Sequence, residues 1–118
     1  MAYVDGFVTA VPVANKEAFR KHAADAAAIF KELGATRVVE AWGDEVPDGK
    51  VTDFKGAVRA KEGEVVVFSW IEYPNKAVRD AVQKKMMSDE RLRGMEASMP
   101  FDGARMIFGG FEPLIDES

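Results

Sequence analysis

The sequence contains no cysteine and only one histidine, His22, among its 118 residues. Without cysteine the protein has no disulfide, no thiol nucleophile, no thiolate metal site and no iron–sulfur cluster. With one histidine, a zinc site would have to draw its other ligands from carboxylates, so a structural zinc site is not expected. The composition therefore predicts a protein without a bound metal or cofactor.

Long apolar runs and an excess of basic charge are also lacking. No segment approaches the roughly 18 apolar residues of a membrane-spanning helix, and residues 1–6 lack the basic stretch and apolar core of a signal peptide. The net charge is −4 and the pI is near 5.0, with basic residues interleaved among acids. Because nucleic-acid binders usually present a basic face, we predict a cytoplasmic protein that binds neither nucleic acid nor membranes.

The chain does have the material for one hydrophobic core, since 47% of its residues are hydrophobic and 31% are charged. A chain of this length is the size of one domain, so residues 1–118 are predicted to form a single domain. Apolar residues at three- and four-residue spacing predict a helix that starts after Asn15 and ends at Gly34. A second apolar stripe predicts a helix capped by Asn75.

Runs of β-branched and aromatic residues predict four strands, at residues 3–11, 36–42, 64–73 and 105–112. The order of elements is then strand, helix, strand, strand, helix, strand. This is the ferredoxin-like plan, an α+β fold in which two main helices cover one face of a four-stranded antiparallel sheet.

Both faces of the predicted sheet are apolar. In the first strand two sets of residues alternate, with Phe7, Thr9 and Val11 on one face and Val4, Val8 and Ala10 on the other. A sheet with one solvated face would instead alternate apolar and polar residues. Since the helices cover one face only, a second copy of the sheet is predicted to cover the other, in a homodimer. An exposed ligand groove is the alternative.

The chain resembles the YbaA-like bacterial family over essentially its whole length, and five segments in combination carry the resemblance: Tyr3–Phe7, Val46–Thr52, Val67–Ile71, Met99–Gly103 and Arg105–Glu112. The family is catalogued as a domain of unknown function. The resemblance implies a dimeric α/β-barrel fold, in agreement with the strand pattern. It implies no established reaction, substrate or catalytic residue.

His22 is the candidate catalytic residue, since it lies on or beside the buried stripe of the first helix. Its unperturbed pKa near neutrality suits a general base that faces a pocket. The alternative is a histidine packed at the core boundary with a satisfied hydrogen bond.

Four acids fall within or at the ends of strands: Asp5, Glu40, Glu72 and Glu112. The predicted antiparallel order brings Asp5, Glu72 and Glu112 toward one end of the sheet and Glu40 toward the other. Three carboxylates could bind a hard cation or raise one another's pKa. They could equally form ion pairs at the rim of the sheet with Arg37, Arg79 or Arg105. Ion pairs are the favoured interpretation.

Large side chains in the strands form a candidate ligand-binding set: Trp42, Trp70, Phe68, Met106 and Phe108. Aromatic residues at strand positions also occur simply in cores and interfaces. The adjacent Gly109 and Gly110 weaken a strand unless a bulge or a close approach of backbone requires them. A bulge at the dimer interface is slightly favoured.

Two connections lack regular patterning. Residues 43–56 form a long loop whose aspartates do not match the spacing of an EF-hand, and we predict an arm that embraces a second subunit. Residues 98–103 place apolar side chains in a turn, as a lid or dimer contact would. No phosphate-binding loop, nucleophile elbow or paired-histidine helix is present in the sequence.

Two functions are consistent with these patterns. The first is a homodimeric small-molecule-binding or housekeeping module without chemistry of its own. The second is a small cofactor-independent enzyme, monooxygenase- or isomerase-like, that acts on an apolar or aromatic substrate with His22 as base. Because the sequence contains no catalytic motif, the binding module is favoured.

Overall fold

A computed structural model describes residues 2–118. Its centre is one four-stranded sheet in the order β2-β3-β1-β4, in which every neighbouring pair is antiparallel. The strands are β1 (Tyr3–Pro12), β2 (Arg37–Trp42), β3 (Glu64–Tyr73) and β4 (Ile107–Phe111). The two central strands are also the longest, so the core forms along β1 and β3.

Four helices connect these strands: α1 (Lys16–Leu33), α2 (Phe54–Ala57), α3 (Lys76–Met86) and α4 (Glu90–Glu96). The order β1-α1-β2-β3-α3-β4 confirms the predicted ferredoxin-like α+β plan. The sequence pattern indicated α1 and α3, but it did not indicate α2. No helix within residues 2–118 is both long enough and apolar enough to span a membrane.

The helix ends follow the predicted signals with one exception. The Asn75 side chain accepts a hydrogen bond from the Val78 N–H at 2.8 Å, as an N-cap should. Gly34 ends α1 at φ 141°, and a Cβ there would also approach the Val78 side chain to 3.2 Å. Asn15 occupies the N-cap position of α1 but makes no capping bond. Instead its side-chain amide donates to the Pro100 carbonyl at 2.8 Å.

The face under the helices contains most of the core. Phe19 and Ala23 of α1 pack on Val11 and Val67, both of which are fully buried. A second cluster joins the end of α1 to α3 through Ala35, Ile71, Tyr73 and Val82. The two clusters leave space between them, under the middle of α1.

The opposite face is partly covered by the chain itself. Val58, 1% exposed and just after α2, packs on Val8, Ala10 and Val66. At the start of the same connection, the Gly43 N–H bonds to the Val66 carbonyl at 2.8 Å. Gly43, at the start of residues 43–56, and Val58, just after them, therefore lie on the chain's own sheet, and an arm toward a second subunit stays a prediction.

Arg105 stabilises the end of the connection between β2 and β3. Its guanidinium forms two 2.7 Å bonds with the Glu64 carboxylate, and it also bonds to Asp102 and to the Arg59 carbonyl at 2.8 Å. Arg105 thereby joins the 3₁₀ turn of residues 103–105 instead of β4, which begins at Ile107, two residues later than predicted.

The paired glycines of β4 do not form a bulge. Gly109 and Gly110 pair in continuous register with Gly6 and Asp5. A Cβ at Gly110 would collide with the Tyr3 hydroxyl and would lie 2.8 Å from the Arg79 guanidinium. Close approach of these side chains, rather than a bulge at an interface, explains the glycine.

Candidate functional site

A cavity of about 410 Å³ lies between the helices and the sheet. All four strands line it, together with α1, α3, α4 and the connection that leads into β4. The walls are mostly apolar and include four methionines, whose flexible thioether side chains adapt to irregular shapes: Met86, Met95, Met99 and Met106.

The connection of residues 99–106 closes one side of the cavity. Phe101 meets Phe19 edge-on with ring centroids 5.7 Å apart, and it meets the His22 ring edge-on at 6.3 Å. The bond from Asn15 to the Pro100 carbonyl fixes this connection to the start of α1. The residues predicted as a lid or dimer contact therefore contact α1 of their own chain.

Three residues that line the cavity carry a buried polar atom without a partner. The Thr9 hydroxyl, the His22 Nε2 and the Tyr73 hydroxyl form no hydrogen bond within the part of the chain that the structure describes, although Thr9 is only 1% exposed. A buried polar group without a partner is costly, and such groups are uncommon in folded proteins. His22 thus faces the cavity, and its Nε2 lacks the satisfied hydrogen bond of the alternative interpretation.

Glu40, one of the four strand acids, also lines this cavity. The register places Glu40 beside Ser69, whose hydroxyl donates to the Glu40 carboxylate. Burial raises the pKa of Glu40, and the bond from Ser69 offsets part of that rise. Within residues 2–118 no cation pairs with Glu40. The available signal was an acid in the middle of an otherwise apolar strand, but this pattern also fits an ion pair.

The other strand acids are separated by the sheet. Asp5, on the cavity face, bonds to Arg79 at 2.9 Å, with both side chains more than four-fifths buried. Glu72, on the opposite face, pairs with Arg37 at 3.5 Å and accepts a bond from the Trp70 indole at 2.9 Å. The favoured ion-pair interpretation is confirmed for these two acids.

No group of three or more metal-binding side chains occurs in the described part of the chain, residues 2–118. The suggested cluster of Asp5, Glu72 and Glu112 does not form, because neighbouring strands turn Asp5 and Glu72 to opposite faces.

The Asp5–Arg79 pair closes the end of the cavity near α3. The Asp5 carboxylate raises the pKa of Arg79, and burial together with the charge of Asp5 raises the pKa of Tyr73 well above its usual range. Tyr73 is therefore a neutral hydroxyl at physiological pH. This end of the cavity holds one compensated ion pair and no net charge.

The candidate ligand-binding residues do not form one group. Met106 and Phe108 line the cavity together with His22. Trp42 lines a second pocket of about 280 Å³ on the other side of Phe19. There the Lys16 ammonium lies 5.2 Å from the centroid of the Trp42 ring.

Phe68 and Trp70 lie on the opposite face of the sheet, 5.8 Å apart between ring centroids. The structure does not bring them together with Met106 and Phe108, because the even-numbered positions of β3 face away from the cavity. Phe68 instead packs edge-on against Phe54 of α2, with ring centroids 6.0 Å apart.

Comparison with known proteins gives close relatives without an assigned function. Residues 2–103 match the family described as "Protein of unknown function (DUF1428)". The uncharacterized protein YbaA of Escherichia coli K12 is 65% identical over 117 residues, which cover 99% of this chain and 100% of YbaA. The uncharacterized YbaA of Shigella flexneri matches to the same extent.

Among solved structures, Rv0793 from Mycobacterium tuberculosis superimposes with a TM-score of 0.56 over 100% of both chains. Only 11% of the aligned residues are identical, so this similarity supports the ferredoxin-like fold alone.

Proposed function

The chain belongs to the DUF1428 family of proteins of unknown function, and from that premise we propose that it binds a small apolar molecule in the cavity between its helices and its sheet. The observation that carries this proposal is the cavity itself, about 410 Å³ with predominantly apolar walls. Binding sites for small molecules are typically apolar clefts of about 300–1,000 Å³ with a few convergent polar groups.

The packing around the cavity supports binding over incomplete packing. Protein interiors reach the density of organic crystals and leave few voids larger than a water molecule. Here Phe101, in the connection that closes one side of the cavity, packs edge-on against Phe19 of α1. On the sheet side, Thr9 is only 1% exposed. The fold therefore maintains the space between them instead of collapsing into it.

A cavity-filling variant tests this proposal. Ala26 of α1 lines the cavity, and Ala28 is exposed on the same helix. We expect the wild-type protein and the control Ala28→Leu to bind the neutral fluorophore N-phenyl-1-naphthylamine, with a blue shift and increase in its emission. Ala26→Leu should weaken binding about tenfold, and Ala26→Phe should abolish it.

The exposed sheet face could also attract the fluorophore, so Phe68→Ser serves as a second control and should leave binding unchanged. Equal binding by the wild type and Ala26→Phe, with loss in Phe68→Ser, would place the fluorophore on the sheet and overturn the proposal. Absence of binding to the wild type would also overturn it.

The second part of the proposal is a homodimer formed through the open sheet face. Beyond the area covered by α2, this face exposes Phe68 by 47%, Ile107 by 43% and Phe111 by 59%. Contiguous apolar patches of this kind mark interaction sites on soluble proteins. A second copy of the same face is self-complementary and closes with twofold symmetry.

Sedimentation velocity tests the dimer. We expect the wild type to sediment at twice its 13.0 kDa chain mass, and Phe68→Asp or Phe111→Asp to sediment as monomers. Met87→Asp, at a residue 80% exposed on the helical side, is the matched control and should remain dimeric. A monomeric wild type at micromolar concentration contradicts this part of the proposal.

We also propose that the protein is cytoplasmic, and cell fractionation tests this location.

Catalysis in the same cavity is the second candidate function. It is favoured by the unpartnered Nε2 of His22 and by Glu40, a carboxyl whose pKa is raised by burial, because acid–base catalysis uses such groups. In this case the protein would be a small cofactor-independent enzyme, of the monooxygenase or isomerase type, with His22 as base. Turnover of a bound ligand by the wild type but not by His22→Phe would favour it over simple binding.

A further inference from the structure

The polar groups of the cavity converge on one side of its sheet wall. Glu40 pairs with Ser69 across β2 and β3, and Ser69 pairs with Phe7 across β3 and β1. Thr9 follows Phe7 by two residues and so points to the same face. Glu40, Ser69 and Thr9 therefore lie on neighbouring strands as one polar group in an otherwise apolar wall.

His22 lines the same cavity from α1. Its Nε2 and the Thr9 hydroxyl have no hydrogen-bond partner within residues 2–118. Thr9 contributes both a donor and an acceptor. A ligand hydroxyl or carbonyl group would supply the kind of hydrogen-bond partner that these side chains lack.

The charges around this group select among possible ligand head groups. The Glu40 carboxyl has no cationic partner, and its one side-chain partner in the described part of the chain is the Ser69 hydroxyl. An anionic head group near Glu40 would be repelled by its carboxylate, and the arginine that lines this cavity, Arg93, is exposed on α4. A cationic head group could pair with Glu40, but the charge of the ligand would then have to leave water, which costs several kcal/mol.

Resting on the proposed binding function, we propose that the cavity selects small apolar molecules that carry one neutral hydroxyl or carbonyl group, and that Thr9, His22 and Glu40 bind this group. The body of the ligand lies among the methionines and phenylalanines of the helical side. The neutral head group lies against the sheet and supplies the partner that Thr9 and His22 lack.

Four naphthalene compounds with one body and different head groups test this selection. Naphthalene has no polar head, 2-naphthol has a neutral hydroxyl, 2-naphthoate is an anion and 2-naphthylmethylamine is a cation at neutral pH. Their affinities are measured by displacement of N-phenyl-1-naphthylamine. We expect 2-naphthol to bind about tenfold more tightly than naphthalene, the effect of one net hydrogen bond. The two ions should bind more weakly than naphthalene.

Variants locate the selection. Thr9→Val has the shape of threonine without its hydroxyl, and Glu40→Leu removes the carboxyl. Each variant should bring the ratio of 2-naphthol to naphthalene affinity close to one. Glu40→Gln retains a neutral polar group and should preserve the ratio. Thr52→Val, at an exposed threonine far along the chain, is the matched control.

The outcomes separate this inference from the function on which it rests. If naphthalene and 2-naphthol bind equally to the wild type, or if Thr9→Val keeps the preference, the selection is wrong although the cavity binds apolar molecules. Tightest binding of the amine would instead assign Glu40 as a counter-ion. If no compound binds and Ala26→Phe changes nothing, the proposed binding function fails as well.

Discussion

Replacement of Thr9 by valine should stabilise the protein while impairing the proposed selection of ligands. Thr9 is 1% exposed and its hydroxyl has no partner in residues 2–118. A buried polar group without a partner costs about 1–3 kcal/mol, and valine replaces the hydroxyl with a methyl group of similar size. We therefore expect Thr9→Val to raise the free energy of unfolding by about 1–3 kcal/mol.

The size of the protein converts this value into a melting temperature. Unfolding entropy is about 2.1 cal/mol/K per residue, which over 118 residues is about 0.25 kcal/mol/K. The expected increase in Tm is then about 4–12 °C, measured by calorimetry without ligand.

Val11→Thr is the matched control for Thr9→Val. Val11 lies two residues along the same strand and the same face, and it is fully buried against Phe19, Ala23 and Val67. The hydroxyl introduced there should lower Tm by a similar amount. A lower Tm for Thr9→Val would show that the native hydroxyl makes a stabilising bond, to water for example, and would refute the reasoning about Thr9.

Three further predictions concern Glu40, Glu64 and the segment after α2. Burial raises the pKa of Glu40 above its ordinary 4.5, so the folded state binds this proton more tightly and stability should fall as pH rises through the window above 4.5. Glu40→Gln should remove that fall in urea titrations between pH 4 and 8. An unchanged profile in Glu40→Gln would contradict the prediction. The bond from Arg105 lowers the pKa of Glu64 to about 2, so this pair stabilises the protein above pH 4.5 and its contribution is lost as pH falls toward 2. As the solution is acidified, Tm should drop more steeply in the wild type than in Glu64→Gln. Parallel curves of Tm against pH for the two proteins would argue against the pair. Val58→Ala should cost about 2 kcal/mol, since two buried methyl groups leave a well-packed site, and a loss below about 0.5 kcal/mol in urea denaturation would show that this segment does not stay on its own sheet.

Unsatisfied polar atoms and an unpaired carboxyl on a cavity wall reduce stability, and this cost is typical of functional sites. Proteins that satisfy every local rule elsewhere often violate one or two where they bind or react. Here the unpartnered polar atoms of Thr9 and His22 and the carboxyl of Glu40, which has no cationic partner, belong to residues that line one cavity. Their coincidence is a stronger indication of function than any of the three residues alone.

Much of the fold could be predicted because local patterns specify it. Alternation and β-branched residues identified β1 and β3, and the apolar stripe with Gly34 identified α1 and its end. The short helix α2 was missed because four residues carry too little periodicity to be recognised. Asn15 satisfies the pattern of an N-cap, but the nearby Pro100 carbonyl, 85 residues away in sequence, binds its side chain instead.

The candidate site could be predicted only in part. His22 and the pair Met106 and Phe108 do line the cavity, whereas Phe68 and Trp70 lie on the other side of the sheet. Alternation shows which residues of a strand share a face. It does not show which face the helices cover, so it could not separate these two groups.

The sequence by itself determined the class of fold, the order of its elements and the presence of two apolar sheet faces, because these depend on backbone propensity and on side-chain periods of 2 and 3.6 residues. The tertiary structure alone decided which acids are paired and which side chains share the cavity. Glu40 and Asp5 are both strand acids in the sequence, but Arg79 of α3 reaches only Asp5. Contacts between residues distant in the chain set burial and charge compensation, and these physical quantities distinguish an ordinary ion pair from a candidate binding group.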